Sequence, residues 1–382
     1  MKAYRHGLFI GKFYPPHRGH HRVIRQAAAE CERVTVLVMA SIAETVPLEH
    51  RVAWLKAEHK DESQVTIGGI RCDAPMDVGD EQVWQAQVAV MRAGIRATGQ
   101  TVPVDAVYSA DAYGPELAGR FGAKAVSLLR DDLSATAVRA DPGSHWDDLA
   151  PATQAGLTTR IILIGAESTG TTTISSMLAE SCRSKGGVWA RTGWVPEYGR
   201  EYTTIKWDAE KRAAREAGRP EPELEAIVWN HEDFDRVAYE QTRAEESAAR
   251  SGSPVLICDT DAFATMLWER RYLGEQARPA QPWALDLPDR HLYLVTDHEG
   301  VPWHDDGLRE GDLAIRAAMT GWFVDELTAA GHSWVLLTGT LEQRLKLAER
   351  SVEQLLARRL SFGEPFSGPG FGAGSRYAVE YD

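Results

Sequence analysis

The sequence predicts an α/β protein with two domains, each built on a parallel β-sheet covered by helices. Its 382 residues exceed the length of a typical single domain, which is about 100–200 residues. Along both halves, short apolar runs bounded by turn residues alternate with stretches of helical periodicity. This alternation is typical of parallel sheets with helices on both faces. We therefore expect two successive domains of similar architecture.

The predicted elements divide near residue 155, because Pro and Gly interrupt the alternation over 141–159. We expect a first domain at 1–155, a second at 156–360 and a flexible Gly-rich tail at 361–382. The charged stretch 209–224, with two prolines, is expected to be a mobile surface segment. The predicted strands are 7–10, 34–39, 65–67, 104–108 and 125–129 in the first domain and 161–164, 255–258, 292–295 and 334–337 in the second.

Composition argues against several classes of protein. The chain has 42 Lys and Arg against 55 Asp and Glu, a formal net charge of −13, whereas nucleic-acid binders cluster cations against phosphates. The 4 cysteines are far apart and form no CxxC pair, which favours reduced thiols over disulfides or a zinc site. No apolar run approaches the roughly 18 residues of a membrane span, and no signal-peptide pattern is present. We expect a cytoplasmic protein without nucleic-acid or membrane partners, and homo-oligomerisation stays open.

The segment 7–21, which reads GLFIGKFYPPHRGHH, predicts a phosphate site in the first domain. A strand runs through Gly11 into a turn, and His17 and His20 lie on one face of the helix that follows. Backbone N–H groups and the helix dipole favour an anion there, and imidazoles can stabilise charge that develops on a phosphorus under attack. Gly19 allows a ligand to approach the backbone closely.

This segment resembles the GxFxPxHxGH signature of the nucleotidyltransferase superfamily, which has a Rossmann-like fold. The stretch 133–139, LSATAVR, resembles that family's second signature, ISxTxxR, with Leu133 in place of Ile. The resemblance implies transfer of a nucleoside phosphate from ATP with loss of pyrophosphate. It implies catalytic roles for Lys12, His17, His20 and Arg139, and ATP contacts from Gly11, Phe13, Gly19, Ser134 and Thr136.

The acceptor is predicted by a further resemblance. The stretch 107–114, VYSADAYG, is similar to a strand and loop of nicotinamide mononucleotide adenylyltransferases of the NadR and archaeal type. Trp84 falls about where that group stacks a tryptophan on the nicotinamide ring, and an indole suits a flat cationic ring. A core position for Trp84 is the alternative. Arg51 and Trp54 are weaker substrate-binding candidates.

The second domain begins with the spacing of a P-loop, because a strand is followed by GAESTGTTT at 165–173 and a predicted helix. Thr171 stands where such loops carry lysine, so the point charge on the β- and γ-phosphates is missing. Arg309 or Lys185 is a candidate replacement. Backbone N–H groups can still hold phosphates, and Thr172 can still reach Mg²⁺. The predicted ATP-binding residues are Gly165, Glu167, Ser168, Thr169, Gly170, Thr171, Thr172 and Thr173.

Three strings after the P-loop resemble the ribosylnicotinamide kinase domain of NadR-type bifunctional proteins, in family order. They are PEYGRE at 196–201, CDTD at 258–261 and PWHDDGLR at 302–309. The resemblance implies Glu197 or Asp259 as the base, Thr172 and Asp259 as Mg²⁺ ligands, and Arg309 as a lid residue over the transferred phosphate. It implies substrate contacts from Tyr198, Arg200 and Asp261.

Together the two halves predict an enzyme of NAD biosynthesis that phosphorylates nicotinamide riboside and adenylylates the resulting mononucleotide. No DNA-binding domain is expected, because the first predicted strand starts at residue 7. Two alternatives stay open at this stage. One is an adenylyltransferase whose kinase-like half is a nucleotide-binding regulatory module, and the other is a nucleotidyltransferase for a different acceptor.

Overall fold

The computed structural model describes residues 2–128, 133–278, 287–303 and 312–365. The chain divides into two compact units. Unit 1 comprises residues 1–156 and 360–382, and unit 2 comprises residues 157–359. The predicted boundary near residue 155 lies next to this division. In the part of the chain that the structure describes, no helix has the length and apolar character needed to cross a membrane.

Unit 1 is a five-stranded parallel sheet with strand order β3-β2-β1-β4-β5. The chain order reverses beside β1, and the crevice at the carboxyl ends of β1 and β4 is where such sheets bind ligands. Its main elements are β1 (Tyr4–Gly11), α1 (Arg18–Glu30), β2 (Cys31–Ala40), α2 (Leu48–Glu58), β3 (Val65–Arg71), α3 (Glu81–Ala97), β4 (Ala106–Ser109), α4 (Gly114–Phe121), β5 (Lys124–Ser127), α5 (Ala135–Ala140) and α6 (Pro151–Leu157).

The central strands of unit 1 are apolar on both faces because helices cover both sides of the sheet. Leu8 packs in one layer with Trp84 and Val107. Phe9 packs in the opposite layer with Ile24. This pattern is the one that a buried parallel sheet requires.

Unit 2 is also a five-stranded parallel sheet, with order β10-β9-β6-β8-β7. The predicted α/β class with two parallel sheets is confirmed. Its main elements are β6 (Thr159–Gly165), α7 (Thr171–Arg183), β7 (Gly193–Val195), α8 (Tyr198–Glu216), α9 (His231–Ala249), β8 (Val255–Asp259), α10 (Ala262–Leu273), β9 (Leu292–Thr296), α11 (Leu313–Ala329), β10 (Trp334–Leu337) and α12 (Leu341–Arg359).

Two segments differ from the sequence-based expectation. The strand β7 has three residues, too few to show a period, and was not predicted. The first part of the charged stretch at 209–224 is the end of α8, which continues to Glu216. The charged side chains of this part lie on an exposed face of α8. There the ammonium of Lys211 packs over the ring of Trp207, 3.2 Å from the centroid.

The described start of the predicted tail packs against unit 1. The ring of Phe362 meets that of Tyr14 edge to face, with centroids 5.4 Å apart. The backbone N–H of Gly363 donates to Thr45 Oγ1 at 3.3 Å. Most of the tail, 366–382, lies outside the described residues.

Candidate functional sites

A buried arginine on α2 forms hydrogen bonds with the loop between β1 and α1. Arg51 is fully buried and donates from Nη1 to the carbonyl of Lys12 at 3.0 Å and to Glu44 Oε2 at 2.6 Å. The other Glu44 oxygen accepts from Lys12 Nζ at 2.8 Å. Burial opposes the charge on Glu44, but hydrogen bonds from Lys12 and Arg51 lower the pKa of its carboxyl below the ordinary value. The side chain of Arg51 is therefore occupied in positioning the loop, which argues against the predicted substrate contact.

The two predicted histidines cap α1, and backbone N–H groups fix the tautomers of both rings. His17 is the N-cap, and its Nδ1 accepts from the N–H of Gly19 at 3.2 Å. The Nδ1 of His20 accepts from the backbone N–H of His17 at 3.2 Å. Because Nδ1 is the acceptor in both rings, the proton lies on Nε2 in each. Burial, then the neighbouring His17, lowers the pKa of His20 well below its ordinary value. Both imidazoles therefore present an Nε2–H donor.

The adjacent rings complete this part of the site. The ring centroids of His17 and His20 are 3.8 Å apart, and that of Phe13 is 4.9 Å from His20. Phe13 has a φ of 47° and is almost fully buried. Its side chain belongs to the core, so an ATP contact at this position falls to the backbone.

The second signature of unit 1 meets the first at Tyr14. Ser134 is the N-cap of α5 and accepts from the N–H of Ala137 at 3.1 Å. Arg139 donates from Nη1 to the carbonyl of Tyr14 at 2.9 Å and from Nη2 to Thr136 Oγ1 at 3.2 Å. Its guanidinium also lies over the Tyr14 ring, 5.2 Å from the centroid. The structure thus joins two motifs that are more than a hundred residues apart.

A pocket opens beside the same loop. Its walls include Ile10, Lys12, Met76, Trp84 and Tyr113. Trp84 is 5% exposed, and its Nε1 donates to the carbonyl of Val78 at 3.0 Å. Trp84 therefore belongs to the core and also forms a wall of the pocket.

Trp54 does not face this pocket. It packs directly over Gly156, where a Cβ atom would overlap the indole ring. We correct the substrate-binding prediction for Trp54, because its ring, in the middle of α2, is used for packing against α6.

The P-loop of unit 2 joins β6 to α7 with two left-handed residues, Ser168 at φ 54° and Gly170 at φ 92°. Gly165 has no room for a side chain, because the hydroxyls of Thr169 and Thr296 occupy that space. Glu167 is 5% exposed, and its carboxylate lies 3.9 Å from the Arg271 guanidinium. Such turns of alternating hand point successive backbone N–H groups into one anion-binding concavity.

Oxygen donors for a metal lie at the helix end of this loop. Thr172 Oγ1 donates to Asp259 Oδ2 at 2.6 Å, and Asp259 is 2% exposed at the end of β8. A hydroxyl paired with a carboxylate beside a phosphate site fits a hard cation such as Mg²⁺, which takes its other ligands from phosphates and water. Thr171, where the lysine is missing, is the first residue of α7, and Thr173 is the third.

An aromatic pocket lies beside the second sheet. Four rings line it, and the Trp229 and Tyr272 centroids are 5.2 Å apart. Glu197 and Thr260 complete the wall next to the end of β8. The rings are those of Trp229, Phe234, Trp268 and Tyr272. Sequence reasoning missed all four, because they come from three separate places in the chain: Trp229 before α9, Phe234 on α9, and Trp268 with Tyr272 on α10.

The remaining predictions for unit 2 have mixed outcomes. Asp261 is fully buried, caps α10 and pairs with Arg290 at 3.0 Å, so it supports the framework and does not contact substrate. Lys185 follows the far end of α7 from the P-loop and pairs with Glu353 at 3.2 Å, so it cannot replace the missing lysine. Arg309 lies outside the described residues.

The substrate-contact candidates at the start of α8 lie close to the aromatic pocket. The backbone N–H of Tyr198 donates to Gln241 Oε1 at 2.9 Å, which fixes the first turn of the helix. Arg200 Nε lies 3.5 Å from the carboxylate of Glu197.

Comparison with known proteins covers both units. Residues 8–87 match the cytidylyltransferase-like family, and residues 160–344 match the AAA domain family. The trifunctional NAD biosynthesis/regulator protein NadR of Salmonella typhimurium (strain LT2) is 21% identical over 344 residues, which cover 84% of this chain and 76% of that protein. NadR of Escherichia coli (strain K12) is 20% identical over 324 residues, which cover 79% and 71%.

Two solved structures share the fold of the chain. The crystal structure of NadR protein in complex with NR has a TM-score of 0.62 at 20% identity and covers 93% of this chain and 97% of its own. The structure of NadR protein in complex with NAD and AMP-PNP has a TM-score of 0.57 at 20% identity and covers 94% and 98%.

Proposed function

We propose that this chain, a NadR-type protein with a cytidylyltransferase-like unit and a P-loop unit, makes NAD in two ATP-dependent steps. Unit 2 transfers the γ-phosphoryl group of ATP to the 5′-hydroxyl of nicotinamide riboside. Unit 1 then transfers AMP from a second ATP to the nicotinamide mononucleotide. The first unit corresponds to the proposed domain 1–155 and the second to 156–360.

In unit 1, the phosphate of the mononucleotide attacks the α-phosphorus of ATP, the bond to the β-phosphate breaks, and pyrophosphate leaves. The acceptor is already an anion, so no protein nucleophile is required. The Nε2–H groups of His17 and His20 donate to the α-phosphate oxygens as negative charge increases. Lys12 and Arg139 add positive charge, and the N–H groups at Gly19 and Ser134 hold the phosphates. Trp84 forms the wall for the nicotinamide ring.

In unit 2, the positions of the two candidate carboxylates support different roles for them. Asp259 is bonded to Thr172 and so lies on the metal side, whereas Glu197 lines the aromatic pocket. Glu197 therefore accepts the proton of the riboside hydroxyl as its oxygen bonds to the γ-phosphorus and ADP leaves. When bound, Mg²⁺ neutralises charge on the β- and γ-phosphates, and Thr172 and Asp259 would hold it.

The aromatic pocket is the observation that carries the kinase half of the proposal. A pyridinium ring is flat and cationic, and a cluster of aromatic rings attracts such a ring in a desolvated site. Because Glu197 lines the same pocket, a riboside bound there lies next to the carboxylate that acts as its base. A regulatory module that senses ATP or a pyridine nucleoside needs no base beside the ring pocket, so the position of Glu197 supports the kinase over the adenylyltransferase-only alternative.

The test is to incubate the protein with ATP and Mg²⁺ and to measure two products separately. Pyrophosphate release is followed with nicotinamide mononucleotide, its nicotinate analogue and unrelated phosphate monoesters as acceptors. ADP release is followed with nicotinamide riboside. We expect pyrophosphate with pyridine mononucleotides only, and ADP with the riboside. Pyrophosphate release with an unrelated acceptor alone would contradict the assignment of unit 1, and absence of ADP would contradict that of unit 2.

A further inference from the structure

Buried guanidinium groups contact the outer side of the P-loop. Arg316 of α11 donates from Nε to the carbonyl of Glu167 at 2.8 Å and from Nη2 to that of Ser168 at 3.1 Å. Arg344 of α12 donates to the next carbonyl, that of Thr169, at 3.4 Å. Arg316 is 6% exposed and Arg344 is 2% exposed. Three successive loop carbonyls therefore face buried cations.

The geometry of the peptide group carries the effect of these cations across the loop. In a trans peptide, the N–H points away from the C=O of the same unit. The carbonyls of Glu167, Ser168 and Thr169 belong to the peptide units whose N–H groups are on Ser168, Thr169 and Gly170. A cation on each carbonyl polarises its peptide, which strengthens the N–H as a donor to a phosphate oxygen.

The charges around the loop lie on different sides of it. Arg316 and Arg344 lie against the carbonyls of the loop with Arg271, Glu167 and Asp297 nearby, whereas the carboxylate of Asp259 lies at its helix end. Burial lowers the pKa of Arg316 and the nearby Glu167 raises it, yet an arginine keeps its proton at neutral pH. Screening by water is weak for buried groups, so the guanidinium charges of Arg316 and Arg344 act strongly on the loop peptides that they contact.

We propose that Arg316 takes over the electrostatic role of the lysine that is absent at Thr171, and that it acts through the peptide groups of the P-loop. Arg316 is a positioning residue, since it touches the loop and not the phosphates, and Arg344 supports it at Thr169. This inference rests on the proposed nucleotide binding by unit 2, and it names the residue that makes such binding effective without lysine. Arg316 also donates to the carbonyl of Val301 at 3.0 Å, just before the PWHDDGLR segment.

The test is a double-mutant cycle between Arg316→Gln and Thr171→Lys. AMP-PNP with Mg²⁺ is titrated while hydrogen exchange is followed in peptides spanning 165–173, which reports on unit 2 alone. Riboside phosphorylation is measured on the same proteins. We expect Arg316→Gln to weaken binding about 30-fold, the size typical of losing hydrogen bonds from a charged group. Thr171→Lys alone should change binding by less than about threefold, because the charge is already supplied.

The decisive variant carries both substitutions. A lysine at 171 should restore binding to within about threefold of wild type, since it returns the charge by the usual route. Failure of Thr171→Lys to rescue Arg316→Gln would show that Arg316 only shapes the loop and would overturn the proposal. Unchanged binding in Arg316→Gln would overturn it as well.

Two controls distinguish an electrostatic role of Arg316 from a loss of structure and from failure of the proposed kinase activity. Arg316→Lys, which keeps the charge, should lose less than Arg316→Gln, and an equal loss would count against an electrostatic role. Adenylyl transfer by unit 1 should be unaffected in every variant, and hydrogen exchange in the strands of unit 2 away from the loop should match wild type, which shows that unit 2 is folded. If wild type does not phosphorylate riboside but AMP-PNP binding follows the cycle, the kinase assignment fails and this inference stands.

Discussion

Replacing His20 by alanine tests the geometry of the adenylyl-transfer site. The variant removes the Nε2–H donor and also the Nδ1 atom that accepts from the backbone N–H of His17 at 3.2 Å. The first loss acts on the transition state, and the second acts on the N-cap of α1. The two effects can be measured separately because one appears in kcat and the other in stability.

The type of interaction that is lost determines the expected size of each effect. Loss of one preorganised donor to a developing oxyanion costs about 10²–10³ in kcat, or roughly 2.7–4 kcal/mol. Loss of one capping interaction costs about 0.5–2 kcal/mol in the free energy of unfolding. Because burial holds the pKa of His20 well below its ordinary value, its ring is neutral at neutral pH. The contribution of His20 should therefore not change between about pH 7 and 8.

The assay is pyrophosphate release with nicotinamide mononucleotide and ATP, together with thermal unfolding. His50→Ala is the matched control, since His50 is exposed on α2 in the same unit. We expect His20→Ala to lower kcat at least about 100-fold and the control to leave it unchanged. A loss below about threefold would remove His20 from the transition-state contacts and refute the tautomer argument.

Three further predictions concern other parts of the molecule. Burial, then a neighbouring histidine, lowers the pKa of His21 from 6.5 to about 3. Between these two pH values the unfolded chain therefore binds more protons than the folded chain. The free energy of unfolding of unit 1 should fall as pH drops below 6.5, by up to about 1.4 kcal/mol per pH unit. His21→Gln should flatten this dependence in acid-unfolding experiments, and an unchanged slope would be a contrary result. Trp229→Ala should raise the KM for nicotinamide riboside about 30-fold through loss of cation–π attraction. Trp334→Ala on β10 is the control, and an equal rise in KM for both variants would contradict riboside binding in the aromatic pocket. Phe362→Ala should raise the KM of unit 1 for ATP about threefold to tenfold, the value of an edge-to-face ring pair, because Tyr14 loses its support; an unaltered KM would show that this contact is incidental.

The sequence predicted the parts of the molecule whose chemistry is local. The segments 7–21 and 165–173 each combine a strand, a turn and the start of a helix, so their spacing alone fixes the geometry. Both sheets followed from the apolar runs, because a strand buried on two faces has few other forms. Only the three-residue β7 was too short to detect.

The residues that support the sites could not be predicted, because tertiary contacts define them. Glu44 lies alone in a loop, yet it joins Lys12 to the buried Arg51. Arg316 is nearly 150 positions from the carbonyls that it contacts. Asp259 and Asp261 are both buried, and only their partners separate the residue that meets Thr172 from the one that pairs with Arg290 in the framework.

The most direct test of the central claim is product stoichiometry from nicotinamide riboside. The protein is supplied with riboside, ATP and Mg²⁺, and ADP, pyrophosphate and NAD are quantified over one time course. If both units are active, pyrophosphate should equal NAD throughout, and ADP should equal the sum of mononucleotide and NAD, with mononucleotide appearing before the NAD. Formation of NAD only from added mononucleotide, with no ADP from riboside, would contradict the account.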